Sequence, residues 1–104
     1  MRTATCVKII EEIITVQSKV AQLVDKLSGQ SIRLCNYDPW SRRAQVYKGI
    51  DVLARYWGET LTWVDVQQYE SGEGNAMFVH DDITYFQIMT LGQYEGLIPK
   101  EVEA

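Results

Sequence analysis

His80, Asp81 and Asp82 are the one place in this 104-residue chain where a histidine meets carboxylates. Such a group can hold a metal ion, or form a base with its orienting partner. Three consecutive residues in a tight turn cannot all converge on one point, however, and a site there needs ligands from elsewhere. The chain offers no second histidine and no matching acidic pair at helical spacing. The run therefore reads first as a hairpin turn, and no metal, cofactor or catalytic residue is expected.

A second cluster follows Asp38-Pro39. Trp40, Arg42 and Arg43 combine the residue types enriched at binding hot spots, on a turn that proline presets and aspartate favours. They are the candidate partner-binding residues. The same side chains could stack on and neutralise a nucleotide. Alternatively, Trp40 folds back over the core edge and the arginines solvate a strand start.

Aromatic residues crowd the second half, including Tyr47, Tyr56, Trp57, Trp63, Phe78, Tyr85 and Phe86. They would suit either a small-molecule pocket or an aromatic sheet core. Motifs for chemistry are missing. Gly72 and Gly74 stand in an acidic SGEGN that repels phosphate, and there is no HExxH, no nucleophile elbow and no cysteine with a basic activator. Nothing in the motif content points to an enzyme.

Composition narrows the field further. A net charge of −4 disfavours nucleic acid and anionic membranes, both of which need basic surface. Lys8, Glu11 and Glu12 interrupt the N-terminal apolar run, so it does not read as a signal peptide, and no stretch suits a membrane span. Cys6 and Cys35 belong to no CxxC pair and are expected to be buried free thiols in a reduced, cytoplasmic protein.

The elements that must position these residues begin with a helix over 6–27. Its apolar residues Cys6, Ile9, Ile13, Val16, Val20, Leu23 and Leu27 step by three and four in a heptad row. Ile10, Ile14, Ala21 and Val24 widen the row into a broad face. Thr3 or Thr5 is the expected cap, and Gly29 the stop. Such a face can cover a sheet in its own domain. It can equally seat a second copy of the chain, with Ile9, Ile13, Val16, Val20 and Leu23 as the dimer seam. Eleven apolar positions on one helix favour the second use in a chain this short.

Strands are expected over 31–37, 43–48, 60–69, 76–79 and 83–89, with a loop over 71–75. The glycine-bracketed stretch 49–58 fits a short helix, with a continued strand as the alternative. From Leu91 onward glycines and a proline break any period. Residues 1–90 thus read as one α+β domain, a long N-terminal amphipathic helix packed on a four- to five-stranded mainly antiparallel sheet, and 91–104 as a tail. The expected function is a small acidic interaction or accessory protein, acting on a protein partner or on itself through the helix or the Trp40 turn. A ligand-binding module or small enzyme with an aromatic pocket is the alternative.

Overall fold

A computed structural model of the chain describes residues 1–66 and 72–98. The fold is α+β, with a long N-terminal helix, a five-stranded, mainly antiparallel sheet and two short helices. The chain divides into two compact units, Met1–Gln30 and Ser31–Ala104.

The first unit is helix α1, Thr3–Lys26. Arg2 precedes it in extended conformation and no side chain caps it, because the helix starts early enough to take Thr3 and Thr5 inside. The expected threonine cap is therefore not formed. Gly29 takes the left-handed φ of 77° that ends the segment. Among the described residues none of α1 is buried, and Ile13 and Val16 are 53% and 59% exposed.

The second unit begins with strands β1 (Arg33–Asp38) and β2 (Arg43–Lys48), followed by helix α2 (Ile50–Trp57). Strands β3 (Thr62–Asp65), β4 (Glu73–His80) and β5 (Ile83–Thr90) come next, and helix α3 (Leu91–Leu97) closes the unit. The strand order is β1-β2-β5-β4-β3, with every pairing antiparallel except β2 with β5. Register puts Ala44 and Val46 of β2, Ala76 and Phe78 of β4, and Tyr85 and Met89 of β5 on one face. Ile50 and Ala54 of α2 complete the core there, and Tyr94 and Leu97 of α3 pack against it.

Gly49 allows α2 to start. Its φ is 86°, and a Cβ would collide with the carbonyl oxygen of Ser31. Gly58, at φ 69°, ends the helix as expected.

Three expectations need correcting. Residues 73–75 belong to β4 rather than a loop, because β4 is paired on both sides and Trp63 covers Gly74 so closely that a Cβ would meet its ring. Residues 91–97 form a helix rather than an aperiodic tail. Thr90 caps it through a reciprocal pair, its Oγ1 accepting the Gln93 N–H while Gln93 Oε1 accepts the Thr90 N–H. Cys35 is exposed and Cys6 half-buried, since one lies beside a register shift in an edge strand and the other on an unburied helix. The ends of the expected loop and of strand 60–69, at 67–71, lie outside the described residues.

Candidate functional site at two adjoining hairpin tips

The β1–β2 turn is built by Asp38. Its Oδ1 accepts the Trp40 backbone N–H at 3.0 Å and its Oδ2 accepts the Ser41 hydroxyl at 2.9 Å. These bonds stabilise the ionised form, Ser41 most and then Trp40, and hold the Asp38 carboxyl below its ordinary pKa of 3.8. The turn closes through Arg42 in the left-handed region, at φ 55°. The β4–β5 connection has two residues, Asp81 and Asp82, both left-handed at φ 50° and 63°, as a type I′ hairpin turn demands.

These tips lie at the same end of the sheet. The parallel β2–β5 ladder opens with Arg43 opposite Thr84, and Thr84 donates its N–H to the Arg42 carbonyl at 2.9 Å. Both clusters that stood out in the sequence are thereby brought side by side, although some 40 residues separate them. Among the described residues, Arg42, Asp81 and Asp82 are the only non-glycine residues with positive φ. Left-handed backbone costs an L-residue about 1–2 kcal/mol; at Asp81 and Asp82 the type I′ turn calls for it.

Each candidate residue now has a place. Trp40 is 95% exposed and covers no core. Arg42 is exposed and forms no ion pair among the described residues. Arg43 holds its guanidinium 4.8 Å from the centre of the Phe86 ring, a cation–π contact that fixes its stem.

His80 has partners that the sequence did not reveal. Its Nδ1 lies 3.2 Å from Glu59 Oε1, its Nε2 3.4 Å from Asp81 Oδ2, and its ring stacks on Trp57 at 4.2 Å and 2°. Glu59 is positioned by the end of α2, where its N–H donates to the Ala54 carbonyl at 2.9 Å. A histidine oriented by a carboxylate has the geometry of a general base. Among the described residues its hydrogen-bond, ion-pair and ring partners are Glu59, Asp81 and Trp57. The arrangement ties the end of α2 to the hairpin tip. Glu59 is 21 residues from His80, and only the Gly58 helix stop beside it gave a local hint.

Other aromatics fill space with one another. Trp57 lies 5.2 Å from Tyr85 and 6.0 Å from Phe78, and Phe78 stacks on Tyr85 at 5.1 Å. Burial first, then the Asp81 carboxylate and Tyr37, raise the Tyr85 phenol above its ordinary pKa. Tyr47 and Tyr56 are exposed. A cavity of about 260 Å³ lies between α2 and α3, lined by Asp51, Arg55, Glu59, Leu61 and Tyr94 among others.

No helix of the described residues is long and apolar enough to cross a membrane. Comparison with protein-family models, curated proteins and solved structures finds no match for the chain.

Proposed function

We propose that this chain is a small protein-interaction domain that presents Trp40 and Arg42 from the hairpin tips to a protein partner. The supporting observation is Trp40 itself, 95% exposed on a turn pre-organised by two Asp38 hydrogen bonds. A rigid turn loses little entropy on binding, so more of the anchor's burial appears as affinity. A tryptophan buries roughly 200 Å², or about 5 kcal/mol gross at 25 cal/mol per Å². The matching partner surface is an apolar slot with a carboxylate at its rim to receive Arg42. For the α1 row of Ile9, Ile13, Val16, Val20 and Leu23, the proposed partner is a second copy of the chain. The free thiols fit a reducing compartment such as the cytoplasm.

Affinity capture with three baits tests the hairpin-tip reading. A partner held by the wild type and by Tyr56→Ala, another exposed aromatic, but lost with Trp40→Ala supports it. The loss expected for a hot spot is about 2 kcal/mol or more, roughly thirtyfold in Kd. A set of captured proteins identical for all three baits overturns it.

A small-ligand site is the second reading, favoured by the cavity between α2 and α3. Glu59 lines that cavity and also meets His80, so a ligand there would touch the histidine's partner. A co-purifying small molecule, or a rise of several degrees in Tm with one compound of a metabolite panel, would support it. No shift across the panel would count against it.

A further inference from the structure

We infer that α1 pairs with α1 of a second copy in antiparallel orientation, in the register that sets Ile13 against the partner's Val16. The orientation rests on the proposal that the α1 row binds a second copy, and it commits that proposal to one geometry.

The need for a cover comes from the helix itself. Eleven of its 24 residues are β-branched, which lowers intrinsic helix propensity. Helices in proteins draw most of their stability from packing an apolar face. That face here has Ile9, Ile13, Val16, Val20 and Leu23 each at least 40% exposed.

Two features choose a second copy, and one orientation of it. The first is the symmetry of the row. With Ile13 facing the partner's Val16, Ile9 faces the partner's Val20, and Cys6 faces the partner's Leu23. The same register lays Thr3 beside the partner's Lys26, so the two helices overlap over their whole length. Within the helix, the row from Cys6 to Leu23 is thus centred where Thr3–Lys26 is centred, and Leu27, the C-cap, falls beyond it. An isologous antiparallel pair requires that coincidence.

The second feature is charge. Glu12 and Lys19 flank the row on the same side, one heptad apart. In the antiparallel register Glu12 meets the partner's Lys19, and by symmetry Lys19 meets the partner's Glu12. A parallel pair would instead set Glu12 against the partner's Gln17 and Lys19 against the partner's Val24. The antiparallel form gains two ion pairs where the parallel form gains none. Helix dipoles that oppose one another add to the preference.

Cysteine cross-linking of the full chain tests this, with Cys35→Ser as background. In a parallel pair Cys6 would face the partner's Cys6, within reach of a disulfide. In the antiparallel pair it faces the partner's Leu23. Under mild oxidation the background chain should stay uncross-linked, and adding Leu23→Cys should give a disulfide-linked dimer. The control that adds Cys6→Ser to Leu23→Cys should not cross-link. Light scattering on reduced wild-type protein should give about 24 kDa, twice the 12.0 kDa chain. Glu12→Lys should weaken the dimer about tenfold, and Glu12→Lys with Lys19→Glu should restore it. Cross-linking through Cys6 alone would overturn the orientation while leaving self-pairing intact. A 12 kDa mass at every concentration would overturn self-pairing itself. Failure of the double charge exchange to restore affinity would overturn the register.

Discussion

Thr84 donates its backbone N–H to the carbonyl of Arg42 at 2.9 Å, at the head of the parallel β2–β5 ladder that joins two hairpins. The Asp38 turn and the Asp81-Asp82 turn consequently share one end of the sheet. Surface chemistry that looked scattered in the sequence becomes a patch. Its backbone is held by hydrogen bonds, while the Trp40 and Arg42 side chains stay exposed.

Arg42 occupies a backbone conformation that suits glycine better. Arg42→Gly should relieve left-handed strain of about 1–2 kcal/mol, offset by roughly 0.5–1 kcal/mol of extra unfolded-chain entropy. A net gain of about 0.5–1 kcal/mol is expected in urea unfolding, together with weaker capture of the partner. Lower stability would mean that the arginine side chain holds the turn, and would remove the case that it serves binding.

Gly49 is the opposite case, a position that tolerates no side chain. Gly49→Ala combines a φ of 86° with a collision against the backbone of Ser31. We expect a loss of roughly 2–4 kcal/mol, read as a lower urea midpoint with unchanged slope. A loss below about 1 kcal/mol would show that the start of α2 shifts at little cost.

The reciprocal cap on α3 gives a smaller effect. Thr90→Ala removes the acceptor for the Gln93 N–H and should cost about 1 kcal/mol. Thr90→Ser keeps the acceptor and should recover most of it. If serine and alanine are equally destabilising, the hydroxyl is not what holds the helix.

Two groups give opposite pH dependences. The folded-state pKa of Asp38 is lowered below 3.8, so its contribution to stability is full above that value and disappears as pH falls through the folded value. The folded-state pKa of Tyr85 is raised above 10.0, so its contribution is full below 10 and lost as pH rises through the folded value. Urea melts across pH should show Asp38→Asn flattening the acid limb only and Tyr85→Phe the alkaline limb only. An unchanged acid limb in Asp38→Asn would mean that other carboxylates control it.

Local signals were legible where local physics decides. The heptad row marked α1, the Gly49 and Gly58 pair bracketed α2, and Asp38-Pro39 marked the turn. Pairing across the sheet was not legible. Glu73-Gly74-Asn75 has the composition of a loop, yet becomes strand because β3 and β5 pair with it from either side. The helix at 91–97 was legible in principle, since Thr90 and Gln93 have capping-box spacing, but Gly92 and Gly96 outweighed that signal. As for the site, Trp40 and the histidine turn were each visible. Their adjacency was hidden, because the parallel β2–β5 pairing that creates it leaves no mark on either segment. Glu59 was hidden because it reaches His80 only when the end of α2 packs beside the end of β4.

That parallel pairing also orders the events of folding. The β1–β2 and β4–β5 hairpins each close locally, whereas β2 meets β5 only after α2, β3 and β4 have been made. During synthesis the inner edge of β2 must therefore wait, unpaired, for the last strand to leave the ribosome. We expect docking of the two hairpins to limit the folding rate. Substitutions at Ala44 and Tyr85, opposite each other across this ladder, should then slow folding. Faster unfolding with an unchanged folding rate would place the ladder after the barrier instead. A nascent chain stalled before Ile83 would expose an open strand edge, the form of this protein most prone to join another strand.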